Sequence, residues 1–181
     1  QAASIAIPGS ATGGLNCIVT VSTGTITTTG SITFSGTAAQ AQFTSTGAST
    51  VNVAGNFGGG GTLTTSSTGT INFNGGAAQT IGAYTTYNNV AIANTSGGVT
   101  LLGTTTFGGT LTVTSGTFTV GAFALTVTGA TSVSGTLTAS SATGAKTFTG
   151  NVTINNGGTW NNSGNAAVGL GGSLQNDGTF T

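Results

Sequence analysis

The sequence has almost no ionisable side chains. Its 181 residues include one basic residue, Lys146, one acidic residue, Asp177, and no histidine. Globular domains usually carry about 25% charged residues, whereas this chain carries 1%. Acid–base catalysis needs positioned ionisable groups, and glycoside cleavage normally uses two carboxylates. The composition therefore predicts that the protein is not an enzyme.

The same scarcity argues against most ligand classes. Zinc sites use Cys and His, and calcium sites use several carboxylates. The chain has one Cys and no His, so we expect no metal and no other cofactor. Nucleic-acid binding rests on clustered Lys and Arg, so no nucleic-acid partner is expected. No stretch reaches the ~20 apolar residues of a transmembrane helix, and no membrane span is expected.

The N-terminal sequence "QAASIAIPGS" lacks basic residues and starts with Gln. This is typical of a mature chain after removal of a signal peptide, and it predicts a secreted protein, extracellular or at the cell surface. Cys17 has no partner for an intrachain disulfide. We expect it to be a small buried side chain.

Thr and Gly dominate what the sequence does contain, with 42 and 34 residues. Hydrophobic residues make up 36% and the net charge is zero, whereas disordered chains combine low hydrophobicity with high net charge. Thr, Val, Ile and Phe favour strands, and Gly and Asn favour turns. The composition predicts an all-β protein.

Related phrases recur along the chain. In a first alignment, "SITFSGTAAQ" (31–40) resembles a later phrase within "GTINFNGGAAQT" (69–80) at an offset of 39. This first alignment predicts that Gln40 and Gln79 occupy equivalent corners two repeats apart. It pairs the following residues: Ile32 with Ile71, Phe34 with Phe73, Gly36 with Gly75, Ala38 with Ala77, Ala39 with Ala78 and Gln40 with Gln79.

Two further recurrences give the length of the repeat. In a second alignment, "NNVAIAN" and "GNVTINN" match at an offset of 62, which pairs Val90 with Val152 and Ile92 with Ile154. The phrase Gly-Thr-apolar also recurs at near-regular intervals, beginning at Gly116, Gly135, Gly158 and Gly178. Repeats of this kind must be read before the fold is assigned, and here we infer a unit of roughly 20 residues.

Apolar residues alternate with Thr or Ser inside each unit, as in "TLTVTSGTFTV" (110–120). This period of two predicts short strands with one dry and one wet face. A β-sandwich of hairpins and a parallel β-solenoid both suit short strands. The short period and the recurring Asn and Thr favour a parallel β-solenoid (β-helix), with rungs of roughly 20 residues and residues 1–181 in one domain. Ile32, Phe34, Ile71 and Phe73 should then point inward.

Several phrases carry a family resemblance: "INFNGGAAQTI", "YNNVAIANTSGGVTL" and "GTLTVTSGTFTVGAFALTV". They resemble the Thr/Gly/Asn-rich repeat regions of bacterial extracellular β-strand-repeat proteins and are similar to autotransporter-type adhesins. The likeness covers residues 25–181. It implies a secreted, β-helical protein with a structural or adhesive role.

Other features have simpler interpretations. The T-x-T pairs could form the flat hydroxyl surface of an ice-binding solenoid, but their irregular spacing in the sequence favours ordinary outward-facing strand positions. Trp160, Tyr84 and Tyr87 are expected to pack at corners rather than to bind sugars. The T-x-T pairs are Thr25/Thr27, Thr62/Thr64, Thr110/Thr112, Thr117/Thr119, Thr136/Thr138 and Thr147/Thr149.

The two ends suggest a function. Residues 1–15 read as an extended N-terminal arm, and residues 174–181 read as the opening of another rung. Ile5, Ile7, Leu174 and Phe180 are the predicted assembly interface. We therefore expect a subunit of an extracellular bacterial filament or matrix fibre that polymerises head-to-tail with itself. The alternative is an adhesin-type module that binds cell-surface or matrix glycans, or an ice-binding solenoid.

Overall fold

Three strands make up a typical turn of the chain, and the strands of successive turns pair side by side. The computed structural model describes residues 1–9, 16–37, 39–66 and 68–181. Over these residues the chain coils into about 8 turns, spaced about 21 residues apart. The strand pairs are parallel. The prediction of an all-β parallel β-solenoid is confirmed.

Each turn contributes to three faces, which we call face one, face two and face three. Face one is a nine-stranded sheet. Its strands are β1 (Ile5–Ile7), β4 (Ile32–Phe34), β7 (Phe57–Gly59), β10 (Gln79–Ile81), β12 (Val99–Leu101), β15 (Thr117–Val120), β18 (Thr136–Ala139), β21 (Thr159–Asn161) and β24 (Thr179–Phe180).

Face two consists of a three-stranded and a four-stranded sheet, and face three of one eight-stranded sheet. The strands of face two are β2 (Cys17–Val21), β5 (Ala41–Ser45), β8 (Thr62–Thr65), β13 (Thr105–Phe107), β16 (Leu125–Val127), β19 (Lys146–Phe148) and β22 (Val168–Leu170). The strands of face three are β3 (Gly24–Thr28), β6 (Ser49–Val53), β9 (Thr70–Phe73), β11 (Asn89–Ala93), β14 (Leu111–Ser115), β17 (Thr131–Val133), β20 (Val152–Ile154) and β23 (Leu174–Asn176).

The core is the interior of the coil. Successive side chains in a strand point to opposite sides, so the alternating apolar residues enter the coil and stack in columns. One column of face one runs through Val99, Phe118, Leu137, Trp160 and Phe180. Complete burial of such a side chain contributes ~1.5–3 kcal/mol. Ile32, Phe34, Ile71 and Phe73 are all buried, as predicted.

The second alignment, which pairs Val90 with Val152, corresponds to three turns. On face three, Val90 pairs with Leu111, which pairs with Thr131, which pairs with Val152. The recurrence after Gly116 is also structural, because Thr117, Thr136, Thr159 and Thr179 are successive partners on face one. Both of these predicted repeats are therefore confirmed.

The first alignment, which pairs Ile32 with Ile71, does not correspond to whole turns and is wrong. Ile32 lies in β4 on face one, whereas Ile71 lies in β9 on face three. Gln40 lies in the turn before β5, and Gln79 begins β10 on another face, so they are not equivalent corners. All three faces use the same apolar–polar–apolar pattern, so similar phrases can occupy different faces. Ala38, which this alignment pairs with Ala77, lies outside the described residues.

Face two is interrupted in the turn between β10 and β11. Residues 82–88 form no full strand there, and only an isolated bridge joins Tyr87 to Phe107. The segment is still attached to the preceding turn, because the Thr86 hydroxyl donates to the Leu63 carbonyl. This interruption divides face two into its two sheets.

Candidate assembly surfaces

The first turn presents β1, β2 and β3, which have no preceding strand among the described residues. The described part of the predicted N-terminal arm, residues 1–9, belongs to this turn. Ala2 N–H donates to Thr27 O at 3.0 Å, and β1 pairs with β4. Residues 10–15 of the predicted arm lie outside the described residues.

The predicted interface residues of the first turn have different environments. Ile7 has no exposed surface, so it offers nothing to a second subunit. Ile5 is only partly buried and packs at the edge of the core, as do Val19 and Ile26. Cys17 also packs there and is partly exposed rather than fully buried. The exposed apolar edge of the first turn therefore includes a residue from each face.

The last turn exposes three large apolar side chains, one from each face. Leu170, Leu174 and Phe180 are 42%, 41% and 43% exposed. Their partners in the preceding turn, which are Phe148, Val152 and Trp160, are each 1% exposed. These partner residues are less exposed because another turn is stacked on them. One more turn of the same cross-section would bury the exposed residues as well.

The structure does not bring the four predicted interface residues together within one chain. Ile5 and Ile7 lie in the first turn, and Leu174 and Phe180 lie in the last. On face one, eight strand steps separate β1 from β24, which corresponds to roughly 38 Å at the ~4.8 Å spacing of neighbouring strands. A contact between the two ends therefore requires two copies of the chain.

The only lysine of the chain is buried. Lys146 is 2% exposed and occupies an inward position between Leu125 and Val168. Burial lowers the pKa of its ammonium. Its three N–H groups are shared among four carbonyl oxygens, which are Gly121 O at 3.2 Å, Phe123 O at 2.8 Å, Thr143 O at 3.0 Å and Gly144 O. Lys146 therefore joins the corner loops of two successive turns.

Asp177 lies on the exposed last turn, where its carboxylate accepts a hydrogen bond from Gln175 Nε2 at 2.6 Å. Because Lys146 is enclosed by carbonyl oxygens on face two, the two charges of the chain are not partners. The sequence does indicate that the lysine is buried. In the strand "KTF", Lys146 lies two residues before the inward-pointing Phe148, so both side chains point to the same side of the strand.

Tyr84, Tyr87 and Trp160 pack against the core, but only the tyrosines lie outside the strands, whereas Trp160 lies within β21 rather than at the predicted corner. Tyr87 is buried, and its hydroxyl donates to Gly82 O at 3.1 Å. Tyr84 is partly exposed, and its hydroxyl donates to Gly59 O at 3.0 Å. Burial raises the pKa of Tyr84 to about 12, and burial together with Tyr84 raises that of Tyr87 well above 10.0. Trp160 is buried against Phe148 and Phe180.

No protein-family model, curated protein or solved structure matches this chain. Among the described residues, no three or more Cys, Asp or Glu side chains come together as metal ligands. The part of the chain described here also holds no helix of the length and apolarity needed to cross a membrane.

Proposed function

We propose that this chain is a structural subunit that assembles head-to-tail into an extracellular bacterial filament or matrix fibre. The observation that carries the proposal is the exposed apolar residue on each face of the last turn: Leu170, Leu174 and Phe180. The first turn offers three strands in the same arrangement of faces. A second copy placed on the last turn would continue all three sheets. The extracellular location rests on the sequence resemblance to secreted β-strand-repeat proteins.

Electrostatics does not oppose such stacking. The net charge is zero, and uncharged surfaces associate more readily than surfaces of like charge. An open strand edge is also a template for pairing with another chain. At this junction β24 would pair with β1 of the next copy, β22 with β2, and β23 with β3.

Apolar burial alone is not enough to hold the junction. Complete burial of a Leu or Phe side chain contributes ~1.5–3 kcal/mol, and the three residues of the last turn are already more than half buried. Association costs an estimated 4–15 kcal/mol in lost translational and rotational freedom. Backbone hydrogen bonds along three strand edges must therefore contribute, and small changes at the ends should have large effects.

The proposal is tested by substitutions that differ only in position. Leu174→Asp and Phe180→Asp place a charge on the last turn and should leave soluble monomers. Leu102→Asp and Phe123→Asp are matched controls, because Leu102 and Phe123 are 54% and 36% exposed on the side of the solenoid. Electron microscopy and sedimentation of the 181-residue chain would measure assembly.

The first turn has its own matched pair. Ile5→Asp should block assembly, whereas Ile18→Asp should not, because Ile18 points outward from β2 and is 53% exposed. Circular dichroism must show that each variant keeps its β structure. Fibres from the end variants, or a parent chain that stays monomeric at every concentration, would overturn the proposal. The adhesin-type module would then be the remaining interpretation.

A further inference from the structure

The outward side of face one carries a two-column array of threonines from β12 to β24. Strand pairing places Thr117, Thr136, Thr159 and Thr179 in one column. The other column begins with Thr100, Thr119 and Thr138 and continues through Asn161. Thr181, whose N–H donates to Trp160 O at 3.0 Å, extends it. All of these positions are partly or fully exposed.

The irregular spacing of the T-x-T pairs in the sequence conceals this array. Thr117/Thr119 and Thr136/Thr138 are adjacent on face one, while the other pairs lie on faces two and three. Variable corner lengths separate the pairs in the sequence, whereas backbone pairing aligns them in space. The resulting repeats are ~4.8 Å between strands and ~6.6 Å between alternate residues of a strand.

The threonine hydroxyls of this array make no hydrogen bond within the described residues. Outward polar groups on face three behave differently. Asn72 Nδ2 donates to Asn52 Oδ1 at 2.9 Å, and Asn52 Nδ2 donates to Thr27 Oγ1 at 3.3 Å. Face three therefore satisfies part of its own hydrogen-bonding capacity in the N-terminal turns, whereas in the array only Asn161 does so, its Oδ1 accepting from Ser163 N–H at 2.8 Å.

The chemistry of the array limits what it can bind. It contains no charged group and no outward-facing aromatic ring on which a sugar could stack, and no pocket for a small molecule indents the described surface. Each hydroxyl offers one donor and two acceptor lone pairs, and each threonine adds a methyl group. A two-dimensional repeat of neutral hydroxyls and methyls suits a lattice of water better than a charged or flexible ligand.

The array is also held rigidly. Its strands are paired on both sides from β12 to β21, and no register shift interrupts the pairing. Behind it, Val99, Phe118, Leu137 and Trp160 are buried in one column. Rigid presentation matters because a preorganised surface loses little conformational freedom on binding.

We propose that face one between β12 and β24 binds ice. The threonine hydroxyls hold water at the two repeats of the array, and the methyl groups fill the spaces between those waters. This surface runs along the side of the solenoid rather than across its ends. Ice binding is therefore independent of head-to-tail assembly, and either can fail without the other.

The test is partition into slowly growing ice, with matched substitutions on two faces. The parent chain should become enriched in the ice fraction. Thr119→Lys and Thr138→Lys, made separately, should abolish this enrichment because a lysine side chain stands above the plane of the array. Thr112→Lys and Thr153→Lys are the controls, since both threonines point outward from face three. These controls should partition like the parent.

The parent, the controls and the face-one variants must show the same circular dichroism and melting temperature. Exclusion of the folded parent from ice would overturn the proposal, as would equal partition of all four variants. A third result would assign the surface to a glycan instead of ice. In that case the face-one variants would lose binding to a polysaccharide but would partition into ice like the parent. Leu174→Asp adds an independent readout: it should lose fibres but still enter the ice fraction.

Discussion

The two halves of the solenoid share three faces but differ in regularity. Along face one, the successive partners in the N-terminal half are Ile5, Ile32, Phe57 and Ile81. In the C-terminal half they are Val99, Phe118, Leu137, Trp160 and Phe180. Every step in the first series is longer than any step in the second, so the N-terminal turns contain more residues than the C-terminal turns. The break in face two falls between the two halves.

The halves also differ in what fills them. The N-terminal interior holds a cluster of neighbouring rings that spans several turns: Phe34, Phe43, Phe57, Phe73, Tyr84 and Tyr87. The C-terminal interior is mainly aliphatic, and Phe148 and Trp160 pack together near its end. Large rings let longer turns stay closely packed. The short, regular turns are filled by Val, Leu and Ile, and they carry the threonine array.

The largest expected effect comes from the centre of the aromatic cluster. Phe57 contacts five other rings, with centroids 5.4 Å from Phe34 and 5.8 Å from Phe43. Phe57→Ala should lower the free energy of unfolding by ~3–5 kcal/mol, since it removes apolar area and leaves a cavity. Denaturant unfolding followed by circular dichroism would measure the loss.

The matched control lies in the regular half. Phe118 is also fully buried but contacts one ring, Phe107, at 6.2 Å. Its smaller aliphatic neighbours can close around a cavity more readily. Phe118→Ala should therefore be less destabilising than Phe57→Ala. Equal losses would mean that the ring cluster has no special role in the longer turns.

This contrast also explains which features the sequence predicts. Alternation identifies the inward residues in both halves, since a strand has the same period everywhere. Register is predictable where the turns are regular, as for Val90 and Val152. It is not predictable for Ile32 and Ile71, because all three faces use the same apolar–polar–apolar pattern and these two residues lie on different faces.

Gly116 shows how local conformation sets the length of a corner. Its φ of 71° lets the chain turn from face three to face one within one residue, and a Cβ there would lie 2.4 Å from Asn94 O. Such a corner shortens its turn, while a loop lengthens another.

At the ends, the sequence identified Leu174 and Phe180 as members of an exposed rung. It could not show that Ile7 is buried, because that depends on pairing with β4.

Each half also buries a polar side chain that binds corner carbonyls. Gln79 Nε2 donates to Val53 O at 2.8 Å and to Gly55 O at 2.6 Å in the N-terminal half. In the C-terminal half the charged Nζ of Lys146 donates to corner carbonyl oxygens in the same way. Charge-assisted hydrogen bonds contribute ~1.5–3 kcal/mol and neutral ones ~0.5–1.5 kcal/mol. Lys146→Met should therefore destabilise the fold more than Gln79→Leu.

Chemical rescue would separate a binding role of the ammonium from simple packing. Lys146→Ala removes the side chain and leaves the carbonyl oxygens of Gly121, Phe123 and Thr143 without their donor. Added ammonium chloride should raise the melting temperature of Lys146→Ala more than that of Gln79→Leu. An equal response from both variants would show only a general salt effect. A Lys146→Met variant as stable as the parent would contradict the proposed role.

Alkaline pH should weaken the N-terminal half through its tyrosines. Burial raises the pKa of Tyr84 from 10.0 to about 12, and burial together with Tyr84 raises the pKa of Tyr87 well above 10.0 in the folded chain. Between pH 10 and pH 12 the unfolded chain releases these protons more readily, so stability falls as pH rises. Denaturation midpoints across that window would measure the slope.

Tyrosine-to-phenylalanine variants isolate the two contributions. Tyr84→Phe should reduce the slope, and Tyr87→Phe should reduce it more because Tyr87 is almost completely buried. The pKa of Lys146 is lowered from its ordinary value of 10.5, so below that pH this group makes stability rise with pH. Because the parent and both tyrosine variants contain Lys146, its contribution cancels when their slopes are compared. An unchanged slope in both variants would show that other groups dominate the alkaline response.

The smallest effect is expected at the acidic residue on the last turn. Asp177 is exposed, and its hydrogen bond from Gln175 is also exposed. Asp177→Asn keeps an acceptor oxygen for Gln175 and removes only a solvated charge. The free energy of unfolding should change by no more than ~0.5 kcal/mol, and fibre formation should continue because the apolar residues and strand edges are intact. Leu174→Asp in the same turn is the contrasting change, since it adds a charge where Asp177→Asn removes one. Loss of fibres from Asp177→Asn, measured by sedimentation beside the parent, would mean that this carboxylate contacts the next subunit directly.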